Sequence, residues 1–499
     1  MKKSLLLVLF LLACPLWAVP IRIITTADMH GYLLPRRQDG YTVGGAAEML
    51  AYWKKYEGYR PDRFLTISCG DIWDNGPLLS PLLKGEPTID AMNLMGYDAC
   101  AVGNHETGAI NPQTWRQLAK FPFISANLLK DGKPWENVQP YVILEQNGIK
   151  IGIIGLTVAD KLDVYLDALR KYVPEVRAKG AQVLIIAAHV PEEDLLKLIT
   201  EMKDPNLPLW LAGHYHELGA KEWEYGAWVV SSGDWFGSYS RVDLDYNPKT
   251  GRCRVAGARQ VNITSTEPLA DKVLAERLKM WEKQLAQLST NTPRVEVPWL
   301  VKPPVIDGKL DPGEWPVASL LESFWVPAQD RQSEPPTRAW IGIDAQYLYL
   351  AAQCTLVPGV KPTVNSTERD TKQWDDDSIE LFIWPDESRE RFVQFIVNAA
   401  GSLFDCDNVF GRAISPTSDL AWNPIYTAKA TIGQDAWVLE MAIPLPETGI
   451  DARPGKSFRL NITRNIIGGP QRFATWSPLP LRNFHVPPFF GKAVIGPKL

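Results

Sequence analysis

Five of the six histidines in this 499-residue chain stand in short motifs beside other metal-ligating side chains. They are His30 in Asp28-Met29-His30, His105 in Gly103-Asn104-His105-Glu106, His189 in Ala187-Ala188-His189-Val190, and the pair in Gly213-His214-Tyr215-His216. Gly70-Asp71 falls between the first two motifs. Imidazole nitrogen and carboxylate oxygen are the customary ligands of borderline divalent transition metals. A carboxylate has two oxygens, so Asp71 can bridge two ions, and the Asn104 side chain offers a neutral carbonyl oxygen. Asp28 and His30 are two residues apart, as are His214 and His216. In extended chain each pair would point one way and grip one ion. Seven ligands sharing one carboxylate suit two ions about 3.5 Å apart, an arrangement that serves phosphoryl chemistry. Each motif alone is common, but the ordered set of five would arise by chance in fewer than ~1% of chains.

Each motif begins where an apolar strand stops. Residues 21–25 lead to Asp28, 63–68 to Asp71, 99–102 to Asn104, 183–187 to His189 and 207–211 to His214. Helical patterns intervene over 44–56 and around 91–94. From Pro20 to about Asp245 this alternation predicts an α/β layered domain, which gathers ligands at strand ends. Residues 267–288 carry helical periodicity, and 289–298 form a polar, Pro-bearing linker. From Trp299 the texture becomes short alternating strands with frequent Pro, Gly and Trp, as in 339–343, 379–383 and 437–441, which predicts an all-β sandwich.

Composition is ordinary for a globular protein, at 45% hydrophobic and 22% charged. A net charge of −5 argues against capture of a nucleic-acid polymer. It leaves an anionic small substrate open, because bound dications dominate the field of a site. The start, Met1-Lys2-Lys3-Ser4 and then an apolar run to Ala13, reads as a signal peptide, too short for the ~20 residues of a membrane span. Cleavage after Ala18 predicts a periplasmic or secreted protein. The alternative is a lipobox, Leu11-Leu12-Ala13-Cys14, which would anchor the chain to a membrane through lipidated Cys14. No CxxC or zinc-finger spacing is present, and Cys69 and Cys100 read as buried free thiols.

The order D-x-H, G-D, G-N-H-E, H, G-H-x-H resembles the calcineurin-like metallophosphoesterase superfamily, within it the 5′-nucleotidase-related exported enzymes, including the thiosulfohydrolase branch. Gly44-Gly45-Ala46-Ala47, Ser125-Ala126-Asn127-Leu128 and residues 151–156 add to the resemblance. It implies a layered β-sandwich flanked by helices over about 19–262, after a signal peptide at 1–18. It implies two divalent ions (Mn, Zn, Fe, Co or Ni), one on Asp28, His30, Asp71 and His216, the other on Asp71, Asn104, His189 and His214. His105 would be the catalytic group beside the scissile phosphate of a small phosphorylated substrate. Two departures stand out: Gly108 occupies the position where nucleotidases usually carry an aspartate that orients this histidine, and Gly76 is spaced one residue late.

After a helix and linker over 263–298, residues 299–499 resemble the family 9 carbohydrate-binding module. The carrying residues are Ile306-Asp307-Gly308-Lys309-Leu310, Glu314-Trp315 and Trp374-Asp375-Asp376-Asp377-Ser378-Ile379-Glu380. This resemblance implies a carbohydrate ligand, for which Trp374, Trp422 and Trp476 are the candidate stacking faces. The aspartate run 375–377 reads as a solvated stretch leading into a strand, with a calcium site as the alternative. The expected function is an exported phosphoesterase, 5′-nucleotidase-like, with a C-terminal binding module. The alternatives are a thiosulfohydrolase on the same metals and a non-catalytic carbohydrate- or surface-binding protein.

Overall fold

The computed structural model describes residues 18–38, 40–107, 117–266, 269–410 and 416–498. Residues 1–17 of the expected signal peptide, Cys14 among them, and Gly108 lie outside the described residues. The chain divides into two compact units between Trp281 and Glu282.

The first unit stacks two sheets. One runs in the order Arg252–Asn262, Ser238–Asn247, Val19–Thr26, Leu65–Ser68, Ala99–Ala101, Phe123–Ile124, Val138–Gln139. The other runs Tyr141–Gln146, Ile149–Thr157, Val183–His189, Leu209–Gly213, Trp228–Ser232, Leu218–Glu222. Ile21, Ile23, Ile67, Ile151, Ile185 and Leu211 fill the space between them. Helices Leu162–Ala178 and Glu192–Met202 cover the outer face of the second sheet through Leu166, Leu169, Leu195 and Leu198. Central strands are covered on both faces, which is why Val183–His189 is buried at every position and reads as a continuous apolar run. The five strands from Val19–Thr26 to Val138–Gln139 are mutually parallel, as are the four from Ile149–Thr157 to Trp228–Ser232. Parallel pairing puts all carboxyl ends of a sheet on one edge, and the histidine motifs follow those ends.

The expected helix over 44–56 forms as an α-helix at Ala46–Tyr52 that widens to a π-helical turn at Trp53–Glu57 and stops at left-handed Gly58. The segment expected to connect the domains is largely committed. Thr264–Ser265 pairs with Tyr41–Val43, and helix Lys272–Leu288 is tied to the first unit by the Trp281 indole, which donates to Asp90 at 2.8 Å. The expected linker over 289–298 contains a strand, Arg294–Val297, parallel to Gly491–Ile495 of the second unit. Its Val295/Val297 alternation supplies the inward face that the flanking prolines obscured in the sequence.

The second unit is all-β, a sheet of eight strands and a sheet of five. Ile341, Leu350, Leu381, Phe395, Trp437 and Ile462 lie in the core between them. The aspartate run departs from expectation. Asp376 accepts from the amides of Asn365 and Ser366 at 2.8 and 2.9 Å, and Asp377 from that of Thr363 at 2.8 Å. Both are buried, so they are loop clamps rather than a solvated stretch, and Asp375 alone turns outward, towards Arg472. Cys69, Cys100, Cys354 and Cys406 are buried free thiols, and Cys253 is free and half-buried. Among the described residues no helix is long and apolar enough to cross a membrane.

Candidate functional site

The strand ends deliver their side chains through left-handed turns. Asp28 (φ 49°), His30 (φ 45°), Asp71 (φ 52°), His214 (φ 89°) and His216 (φ 59°) all adopt positive φ, a region that costs non-glycine residues roughly 1 kcal/mol or more each. The period-2 geometry expected for the Asp28/His30 and His214/His216 pairs is therefore absent, since that needs extended backbone. Cross-links between strand ends hold the turns. The Asp28 amide donates to the Gly70 carbonyl at 3.0 Å, and the His30 amide to that of Asp71 at 2.9 Å. Gly70 and Gly103 let two strand ends touch: a Cβ on Gly70 would lie 2.7 Å from the Gly103 nitrogen.

Three groups of ligating atoms result: Asp28, His30 and His216; His30, Asp71 and His105; Asp71, His189 and His214. His214 and His216 thus face different groups, although they form one sequence motif. Asn104 joins the third group, with Oδ1 3.1 Å from His189 Nε2 and 3.1 Å from His214 Nδ1. Asp71 Oδ2 lies 3.1 Å from His189 Nε2 and 3.9 Å from His30 Nε2. Its other oxygen, Oδ1, accepts the His105 amide at 2.9 Å. Oδ2 is thus the Asp71 oxygen nearest the imidazole nitrogens of His189 and His30.

Outer partners set which imidazole nitrogen faces the centre. His30 Nδ1 donates to the Asp74 carbonyl at 2.6 Å, His189 Nδ1 to the Cys69 carbonyl at 2.7 Å, and His216 Nδ1 to Asp234 Oδ2 at 3.0 Å. With those protons committed, the Nε2 lone pairs of His30 and His216 face each other at 3.3 Å. Two lone pairs at that distance repel unless positive charge lies between them. Ligands about 2.1 Å from a transition-metal ion sit roughly 3.0–3.4 Å from one another. The 3.1 and 3.3 Å separations match such edges, so these residues fit a pair of divalent cations.

Burial lifts the Asp28 carboxyl to about 6, opposed by His189 and reinforced by Asp71. Burial alone would lower His189, but Asp71, Asp28 and Glu106 raise it to about 9. Burial would likewise raise Asp71, yet His189 and His105 pull it far below the usual carboxylate range. The buried carboxylates and imidazoles thus compensate one another's charge, with Asp71 favoured as the anion and His189 as the cation.

Three residues support the site without having been assigned a role from sequence. Glu106 is fully buried and accepts the amides of Asp71, Ile72 and Gly103 at 2.9, 2.9 and 2.7 Å, tying two ligand loops together. Asp234 orients His216, and Asp74 approaches His105 Nδ1 at 4.0 Å. Glu106 lies in the Gly103–Glu106 motif and Asp74 follows Gly70-Asp71 closely, whereas Asp234 is distant from every motif in sequence, and only the folded loops show where these carboxylates point. Trp73, two residues after Asp71, is fully buried. Trp235 is half-exposed beside His216, stacked on Tyr32 at 5.2 Å.

The second unit carries an open pocket of about 580 Å³. Trp374, Phe404 and Phe473 wall it, above Glu380, Gln394 and His485. Glu380 accepts from Gln394 at 2.7 Å and from Asn465 at 2.6 Å, and His485 Nε2 donates to Gln394 Oε1 at 3.1 Å. Of the candidate stacking faces only Trp374 reaches this pocket. Trp422 packs on Phe395, and Trp476 is buried in the core.

Residues 21–218 match the family described as calcineurin-like phosphoesterase. The protein UshA of Yersinia enterocolitica is 30% identical over 219 residues, 41% of this chain and 37% of that protein. A 5′-nucleotidase of Vibrio cholerae is 29% identical over 204 residues, 39% of this chain and 34% of that protein. The chain thus matches about a third of the length of these relatives. Among solved structures, a family 9 carbohydrate-binding module from Caldicellulosiruptor kristjanssonii in complex with cellotriose aligns with 41% of this chain and 95% of its own. That alignment has TM-score 0.30 and 15% identity.

Proposed function

We propose that this chain, which carries a calcineurin-like phosphoesterase domain at residues 21–218, is an exported hydrolase that cleaves a phosphate monoester of a small molecule, 5′-nucleotidase-like in its reaction. The observation that carries the reading is the convergence of eight side chains from five strand ends, with lone pairs aimed inward and left-handed backbone maintained to aim them. Asp28, His30, Asp71 and His216 would hold one divalent ion, and Asp71, Asn104, His189 and His214 the other; Mn, Zn, Fe, Co or Ni suits this nitrogen–oxygen set. Bound there, two dications polarise phosphate oxygens and make a water nucleophilic near neutral pH.

The chain's own residues supply the rest. His105 stands at the edge of the cluster, its side chain 28% exposed and its Nε2 4.0 Å from Asp71 Oδ2, so it reaches both substrate space and the ligand cluster. From there it donates a hydrogen bond to a phosphate or leaving oxygen as charge develops on it. Glu106 and Asp234 keep Asp71 and His216 in register. Basic residues and an apolar run in the first 13 residues support export, with anchoring through Cys14 as its variant.

For the second unit we propose carbohydrate binding in the Trp374 pocket. Its aromatic walls and hydrogen-bonded carboxylate–amide floor suit a hydroxyl-rich ring. The test is a screen of metal-reconstituted protein against nucleoside monophosphates, cyclic nucleotides, diesters, sugar phosphates, aryl phosphates and thiosulfonates. Hydrolysis of monoesters supports the reading. Turnover of thiosulfonates alone, or of nothing, overturns it. Calorimetric titration with cello-oligosaccharides, lost in Trp374→Ala, checks the pocket.

A further inference from the structure

Among the described residues, three of the five cluster histidines have their outward nitrogen tied to a backbone carbonyl or a carboxylate, and His105 is not among them. His30, His189 and His216 each have Nδ1 engaged at 3.0 Å or less. Position 108, three residues after His105, is a glycine, and the carboxylate of the adjacent Glu106 is committed to the amides of Asp71, Ile72 and Gly103.

The loop after Asp71 supplies the missing group. Asp74 Oδ1 accepts the amide of Asn75 at 2.8 Å, which fixes the carboxylate plane, and Oδ2 faces His105 Nδ1 at 4.0 Å. The same loop holds the histidine from its other side, where the Trp73 indole donates to the His105 carbonyl at 3.3 Å. The loop itself is pinned. A Cβ on Gly76 would fall 1.6 Å from the His30 carbonyl oxygen, so Gly76 seats the segment directly on the His30 turn. The His30 ring meets the His105 ring edge-on, with centroids 4.9 Å apart and planes at 85°, which restricts how His105 can rotate. Catalytic hydrogen bonds are commonly long before substrate binds and shorten in the complex.

We infer that Asp74 is the positioning residue for His105: its carboxylate engages Nδ1 and turns Nε2 towards the reacting centre. The inference rests on the hydrolase reading above for its kinetic consequence, but not for its geometry. The bond from His30 goes to the Asp74 backbone carbonyl, so a side-chain substitution at Asp74 leaves that partner of His30 in place, and the His105→Ala background separates an effect through His105 from the loss of the Asn75 amide contact.

The test has two arms. In zinc-loaded protein with ¹⁵N-labelled histidine, His105, assigned through His105→Asn, should be protonated at Nδ1, and Asp74→Ala should abolish that preference while the other ring signals stay in place. On an aryl phosphate, Asp74→Ala should lower kcat by ~10- to 100-fold with KM within about twofold. Asp74→Asn, which retains an acceptor oxygen, should recover part of the loss. In a His105→Ala background Asp74→Ala should cost nothing further. An unchanged His105 signal in Asp74→Ala overturns the inference, as does an equal loss of kcat in the His105→Ala background. Protein that turns over no phosphoester at all refutes the hydrolase reading, and the spectroscopic arm still decides Asp74.

Discussion

Gly103→Ala subjects the ligand cluster to the smallest steric change that the geometry should not tolerate. The new Cβ would lie 2.1 Å from Asp71 Oδ1 and 2.5 Å from the Asp71 amide nitrogen. Relief to an ordinary contact of about 3.4 Å requires Asp71 or the Gly103 strand end to move by roughly 1 Å. Neither is free to do so: Glu106 binds the amides of both residues, and Asp71 Oδ1 accepts the His105 amide. Metal–ligand distances hold to about ±0.2 Å, so a 1 Å displacement of the shared carboxylate is several times what a site absorbs. We expect divalent-ion affinity to fall at least ~100-fold, at the upper end of what loss of a supporting contact costs. Overpacking of this kind costs about 1–3 kcal/mol, which lowers the melting temperature of a domain this size by roughly 3–10 °C. Competition with a chromogenic chelator measures the affinity, and a circular-dichroism melt shows that the variant is folded. A folded Gly103→Ala protein with wild-type affinity would refute the reasoning, because Asp71 would then not need its present position.

His105→Asn should retain its metals yet turn over an aryl phosphate about 100-fold or more slowly, and elemental analysis with steady-state kinetics separates the two effects. Asp234→Ala frees His216 Nδ1, so the weaker of the two ions should be lost at chelator concentrations at which the other is retained; titration followed by metal analysis checks it. Burial raises Glu380 from 4.5 to about 7 in the folded second unit, against the pull of Asn465 and Gln394. Its contribution to stability is therefore full below about pH 4.5 and lost as pH rises to about 7, of order 3 kcal/mol in all. Denaturant titrations of Glu380→Gln should show a flatter stability profile than wild type over that window.

The positions of the site residues were readable in the sequence because parallel strands are apolar throughout and stop abruptly, which leaves the polar motif at the strand end conspicuous. Asp28, Asp71, Asn104, His189 and His214 each follow such a run. Their orientation was not readable. Positive φ at Asp28 and His30 accompanies cross-strand hydrogen bonds, and at His214 an amide bond to the Asp28 carboxylate, contacts that only the folded chain reveals. Asp74 and Asp234 were invisible for a related reason: an aspartate in a loop is ordinarily a turn former, and only tertiary contact separates these two from the rest. The aspartate run 375–377 shows the opposite error, where charge suggested solvent but unpaired amides at 363–366 drew two of its carboxylates inside. The strand Arg294–Val297 was hidden because a four-residue alternation between prolines carries too little pattern to outweigh the prolines.

The central claim is that this cluster binds two divalent ions that share Asp71. Elemental analysis of chelator-stripped protein reconstituted with a single metal, desalted and quantified per chain, tests it most directly. Two ions per chain in the wild type, with at most one in Asp71→Asn, is the result expected. One ion or none in the wild type would contradict it.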